Sequence, residues 1–143
     1  MTAPISKQML TIRSSPDQLR VVDEWTERVA REVGFSESAI SDLAICVTEA
    51  VNNAIIHAHR SDARKVIVIY FEREAGGLQV RVLDEGKGFS HRGLPDPTLP
   101  ENLLKDGGRG IHVMRHLMDR VEIRATERGT EIIMFKLKAE GTS

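Results

Sequence analysis

The chain has 143 residues, 41% hydrophobic and 29% charged, with a formal net charge of -1. That is the length and balance of one soluble globular domain, able to bury a core without covalent staples. Without a basic or acidic run, nothing favours nucleic acid or a membrane as partner, and the single cysteine, Cys46, excludes an internal disulfide and fits a reducing, cytoplasmic setting.

A short strand is expected at Met9–Arg13. Ser15-Pro16-Asp17-Gln18 then reads as a capping box with proline at the first helical position. Leu19, Val22, Trp25, Val29 and Val33 follow at helical spacing, and Gly34 ends the run. A second helix is expected from about Ser38 to His59, with a core stripe of Ile40, Leu43, Ala44, Val47, Val51, Ala54 and Ala58.

The period then changes. Residues 65–71 and 78–83 read as strands joined by a turn at Ala75-Gly76-Gly77. A long stretch with two glycine clusters and three prolines runs from Asp84 to Gly110. Connections of that length in compact domains are usually functional or disordered, and this one reads as a lid, at about 89–107, between two fixed ends. A third helix carries Ile111, Met114, Leu117 and Met118. Arg120–Thr126 and Thr130–Lys138 read as a hairpin. Such hairpins imply antiparallel pairing and exclude a doubly wound parallel order. The expected fold class is an α+β two-layer sandwich, a mixed, mainly antiparallel sheet with helices on one face, as a single domain over 1–143. The N-terminus lacks a signal-peptide core, and no apolar run approaches the length needed to cross a bilayer.

Four features carry chemistry. Glu49, Asn53 and His57 fall four residues apart, in one row along the second helix. Asn53 offers a neutral carbonyl oxygen to a hard cation such as magnesium, and Glu49 a proton acceptor for a nucleophile. The same spacing also describes a solvated helix face or a buried polar network. Asp84-Glu85-Gly86-Lys87-Gly88 closes a strand. Its glycines admit a ligand close to the backbone, and its aspartate can accept a bond from an exocyclic amine; an ordinary turn has the same composition. Gly107-Gly108-Arg109-Gly110 opens a helix, where free N–H groups suit phosphate, or serves as a hinge. Gly129-Thr130 begins the last strand, where a hydroxyl can reach a ligand or simply belong to a hairpin.

The order of these features restricts the reading more than any one of them. The chain resembles the Bergerat-fold (GHKL) ATPases and, more narrowly, the anti-sigma-factor serine/threonine kinases of bacterial partner-switching systems. Glu49-Ala-Val-Asn-Asn53-Ala-Ile-Ile-His57-Ala58 is similar to their N-box. Val82-Leu83-Asp84-Glu85-Gly86-Lys87-Gly88-Phe89 is similar to the first glycine box. Gly107-Gly108-Arg109-Gly110-Ile111, with Met118-Asp119-Arg120-Val121 beyond, is similar to the second. The likeness spans about Leu10 to Leu137.

The resemblance implies ATP and Mg2+ as cofactors. It implies Glu49 as catalytic base, Asn53 as the magnesium ligand and Asp84 as the partner of the adenine amino group. Gly86 and Gly88 would shape that pocket, Gly107, Gly108, Arg109 and Gly110 would border the phosphates, and Thr130 would support the adenine end. It further implies a sigma factor and an anti-anti-sigma (STAS) protein as partners, with a homodimer, and neither nucleic acid nor membrane as a direct partner. The alternatives are a nucleotide-binding regulatory module that sequesters a partner without significant kinase activity, and a kinase acting in a different regulatory system. The chain departs from the family at His59, where tyrosine is common. A dimerisation helix with a phospho-accepting histidine, and the additions of gyrase- or mismatch-repair-type ATPases, are not expected.

Overall fold

The computed structural model describes residues 7–58, 64–74, 76–84, 110–126 and 129–138, and at 57 and 58 the backbone alone. The expected lid and the residues 86, 88 and 107–109 lie outside these.

Strand β1 (Lys7–Arg13) leads through a 3-10 turn (Pro16–Gln18) into helix α1 (Leu19–Val33). The expected capping box does not form. The Ser15 side chain makes no capping bond; its hydroxyl donates to the neighbouring Asp17 carboxylate. Proline at the first position still opens the turn, because its missing N–H needs no partner there. Gly34 closes α1 in the left-handed region at φ 101, donating its N–H to Ala30 and Arg31 carbonyls.

Helix α2 (Glu37–Asn53) starts one residue before expectation. Its cap is Ser36, whose hydroxyl oxygen accepts from the Ala39 N–H at 3.2 Å. It does not run to His59 as one α-helix: at Ala54 the backbone widens into a π turn, Ala54–Ala58. The α-helical row of Glu49 and Asn53 therefore ends before residue 57. By length and apolar composition Glu37–Ile56 is sufficient to cross a bilayer, contrary to the sequence reading. Most of its apolar side chains are core: Leu43, Cys46, Val47, Ala50, Val51 and Ile55 are wholly buried, while Ile45 and Ile56 are exposed.

Strands β2 (Val66–Glu74) and β3 (Gly77–Asp84) follow, then helix α3 (110–117), β4 (Arg120–Ala125) and β5 (Thr130–Leu137). The sheet order is β1-β2-β3-β5-β4. All described pairings are antiparallel. The sheet is thus not mixed: α3 delivers β4 to the far side of β5, so the co-directional β3 and β4 are never neighbours.

The side-chain period of two places one face of every strand under the helices. Leu10, Ile69, Val82, Ile132 and Ile123 form one row across all five strands. The next row towards the sheet end is Ile12, Ile67, Asp84, Thr130 and Ala125. Apolar cover from all three helices meets this face, including Val22, Val29, Val47, Val51, Ile111 and Met114. On the opposite face Arg81 pairs with Glu131 at 2.8 Å and Glu72 at 3.3 Å while lying over the Tyr70 ring. Charged and aromatic groups thus cover the face that no helix protects.

Candidate functional site

Asp84 and Thr130 stand directly opposite each other in the β3–β5 ladder, in the last core-facing row. Both are almost fully buried, at 4% and 6% exposure. The apolar pattern of the sheet breaks only at its two central strands in this row. Gly129, the residue before Thr130, is packed against Asp84: a β-carbon there would lie 2.3 Å from both the Asp84 backbone oxygen and its Oδ1. The tight turn ending in this glycine is closed by Thr126 N–H donating to the Gly129 carbonyl at 2.7 Å, and by Gly129 N–H donating to the Thr126 hydroxyl at 3.0 Å. The sequence reading names Gly129 with Thr130 and gives a ligand role to Thr130 alone. The signal for Gly129 was a glycine at a hairpin corner beside a polar strand start.

Helix α2 brings the second group. Its Asp42 lies beside Lys136, near the far end of β5, so Glu49 and Asn53 extend from there towards the Thr130 end. Asn53 is 5% exposed, and among the described residues its Nδ2 has no hydrogen-bond partner. The Thr130 hydroxyl is likewise buried, with no partner among the described residues. Such orphans each cost about 1–3 kcal/mol, and persist in native proteins chiefly where a ligand or water completes them. Two of them at one end of a sheet, with a buried aspartate between its central strands, fit a ligand with polar atoms along its length. A nucleotide meets that description.

The third group is Gly110, the first described residue of α3. Gly110 is buried, and a β-carbon on it would come within 2.6 Å of Glu49 Oε2 and 2.9 Å of its Cγ. The Glu49 carboxylate therefore rests against α3 at Gly110. Glu49 is half-buried, and among the described residues no hydrogen bond or ion pair engages it. A carboxylate held in place yet uncommitted can accept a proton from an incoming hydroxyl.

Of the sequence-derived site, then, Glu49 and Gly110 touch, Asp84 and Thr130 pair, and Asn53 lies one turn beyond Glu49. Gly86, Gly88, Gly107, Gly108 and Arg109 lie outside the described residues. Cys46 is buried, as its place beside the core stripe implied. Burial, reinforced by the Asp42 carboxylate, pushes its thiol up to about 12. His112 and His116 are exposed on α3, and no group of three or more metal-ligating side chains occurs among the described residues.

Comparison with known proteins identifies the family. The family model of the histidine kinase-like ATPase domain matches residues 12–136. The chain is 30% identical to the serine-protein kinase RsbW of Oceanobacillus iheyensis, over 92% of this chain and 86% of that one. It is 32% identical to the RsbW of Listeria monocytogenes, over 91% and 86%. In fold it is similar to the crystal structure of the RsbU and RsbW domains of a Mycobacterium tuberculosis protein, with a TM-score of 0.71 at 20% identity. That match covers 95% of this chain and 33% of the longer one. The chain belongs to the histidine kinase-like (GHKL) ATPase family and, within it, to the RsbW group of anti-sigma-factor serine-protein kinases.

Proposed function

We propose that the chain binds Mg-ATP at the Asp84–Thr130 end of the sheet and phosphorylates a serine or threonine of a small anti-anti-sigma protein. The observation that carries the phosphotransfer step is Glu49: a half-buried carboxylate with no described partner, set against Gly110 of α3. Mg-ATP supplies the transferable phosphoryl group and the cation that offsets its charge. Positioning and electrostatics then do most of the work in such reactions.

The residues divide that work. Asp84 accepts from the adenine amino group, with Thr130 beside it and Gly86 and Gly88 lining the pocket. Asn53 contributes its side-chain oxygen to Mg2+. Gly107, Gly108, Arg109 and Gly110 border the phosphates. Glu49 takes the proton of the attacking hydroxyl. The names of the relatives, serine-protein kinases of the same length class, support the reading. So do the orphaned polar atoms of Asn53 and Thr130. By the same family resemblance the protein acts in the cytoplasm as a homodimer that sequesters a sigma factor, and phosphorylation of the antagonist keeps that complex intact.

The test is to incubate the chain with Mg-ATP and candidate anti-anti-sigma proteins, then map phosphoserine and phosphothreonine by mass spectrometry. Transfer to one of them is expected. Tight ATP binding without transfer to any antagonist encoded beside it would remove the kinase step and leave a nucleotide-dependent binding module.

A further inference from the structure

Lys136 breaks the pattern of its own strand. The core-facing positions of β5 run Thr130, Ile132, Met134 and then a lysine. Its partner across the ladder is Leu78, which is wholly buried. An ammonium largely withdrawn from water, here with 15% of its side chain exposed, is costly unless it is bonded and paired. Lys136 is both. Its Nζ donates to the Leu117 carbonyl at 2.8 Å, one of the carbonyls left without a partner at the end of α3, and lies 3.9 Å from Asp42 Oδ2 on α2.

These contacts join two helices. Asp42, Cys46, Glu49 and Asn53 follow on α2 at spacings of four, three and four, so they share one face. Helix α3 lies along that face in the opposite direction. Its last residue, Leu117, meets Asp42 through Lys136, and Gly110, its first described residue, meets Glu49. Asp42 to Glu49 is seven residues, and so is Gly110 to Leu117. Each span is about 10 Å at the helical rise. A rod fixed at one end against the same partner is thereby fixed at the other. Asp119 fastens the exit of α3 to β5, its carboxylate accepting from Leu137 N–H at 2.7 Å and its N–H donating to the Phe135 carbonyl at 2.9 Å. Of these groups, Lys136 alone reaches both α3 and α2.

We propose that Lys136 is a positioning residue for phosphoryl transfer: it sets how far α3 slides along α2, and so holds Gly110 against the Glu49 carboxylate. The proposal rests on the reading of that carboxylate and Gly110 as the phosphate end of the site. Loss of the ammonium frees the Leu117 carbonyl and lets α3 shift along its axis, which moves Gly110 relative to Glu49. The chemistry is disturbed at the end of the helix remote from the substitution.

The experiment uses the isotope-labelled full chain with Lys136→Met, Lys136→Arg and Asp42→Asn. Two signals are read: the amide resonances of Gly110, Gly34 and Gly129, and the Mg-ATP dissociation constant by calorimetry. Lys136→Met is expected to move the Gly110 resonance while Gly34 and Gly129 stay in place. It is expected to weaken Mg-ATP binding about threefold to thirtyfold, the span typical of coupling changes transmitted through packed elements. Lys136→Arg, which keeps charge and donors, restores most of both signals, and Asp42→Asn moves them in the same direction by less. A folded Lys136→Met variant with the wild-type Gly110 resonance overturns the proposal, as does a loss of affinity that Arg does not rescue and that follows global unfolding. Should Lys136→Met not fold, Lys136→Gln and Asp42→Asn are read instead, and an unmoved Gly110 in both overturns it. A wild-type chain that binds no Mg-ATP defeats the site reading, whereas the Gly110 resonance still decides the role of Lys136.

Discussion

Gly110 and Glu49 share a space that holds only one side chain: a β-carbon on Gly110 would come within 2.6 Å of Glu49 Oε2 and 3.1 Å of its Cδ. The glycine is buried at the first described position of α3, where no positive φ requires it. Its smallness serves the neighbouring carboxylate.

Gly110→Ala therefore separates stability from activity. Alanine favours a helix over glycine by up to about 1 kcal/mol. The obstructed group is the Glu49 side chain from Cγ outward, which must turn about its first torsion to clear the new carbon. The two effects oppose each other, so the variant is expected to melt close to the wild-type temperature. Its phosphotransfer rate is expected to fall about tenfold to a hundredfold as the base leaves its position. Thermal melts and single-turnover phosphorylation together check this, and an active Gly110→Ala variant contradicts the role given to the contact.

The two polar residues of the α2 row respond differently. Glu49→Gln keeps the shape of a half-buried side chain, so folding changes by less than about 0.5 kcal/mol. Mg-ATP affinity is retained, and transfer falls by about a hundredfold to ten-thousandfold. Asn53→Ala removes a buried amide whose Nδ2 has no partner among the described residues, so its folding cost is small, within about 1 kcal/mol. Its magnesium-dependent nucleotide binding is lost. Calorimetry with and without Mg2+ distinguishes the pair; unchanged Mg-ATP affinity in Asn53→Ala contradicts the assigned ligand.

Gly129→Ala has a structural cost that Gly110→Ala lacks. The new carbon meets the Asp84 backbone oxygen, which cannot rotate away, as well as Oδ1. The β3–β5 ladder must spread at the Asp84–Thr130 pair. A destabilisation of about 1–3 kcal/mol is expected, together with weakened ATP binding. Urea denaturation measures the first and nucleotide titration the second.

Cys46 gives a pH dependence whose sign follows from its environment. Burial, then the Asp42 carboxylate, raises the folded thiol from 9.0 to about 12, so the native state retains a proton that the unfolded chain releases. The contribution to stability is full below pH 9.0 and is lost as pH rises towards about 12. Over that window the slope is about 1.4 kcal/mol per pH unit for one such group. Cys46→Ala is expected to lose stability less steeply than wild type above pH 9, by denaturation at successive pH values. Thiol reagents should label native Cys46 only as slowly as the core opens.

Much of this fold is legible in periodicity. The helical spacing of Val22, Val29 and Val33, with Gly34 after it, places α1 and its end, and the alternation of Leu78, Val80 and Val82 gives β3 its buried face. Other features depend on choices that periodicity does not record. The Ser15 hydroxyl bonds the Asp17 carboxylate rather than a backbone N–H of the turn it precedes. The π turn at Ala54 changes hydrogen bonding without changing composition. Asp84, Thr130, Glu49 and Asn53 can be named from their motifs, but the close approaches of Gly129 to Asp84 and of Gly110 to Glu49 exist only once strands and helices meet. Lys136 was read as part of an alternating strand, because its partners on α2 and α3 are remote in the chain.

The π turn over Ala54–Ala58 also bears on how the chain can vary in length. A π turn holds one residue more than the α-helical path it replaces. Deletion of Ile56, whose side chain is 48% exposed, leaves buried Ala54 and Ile55 in place and lets the turn close with ordinary i→i+4 bonds. Because the wide turn absorbs the extra residue locally, its loss restores the α-helical path without rotating the flanking residues. Just past the residue proposed to hold the cation, the chain carries a point where a single residue can be gained or lost while the path on either side is kept. Glu49 and Asn53, upstream of it, keep their places.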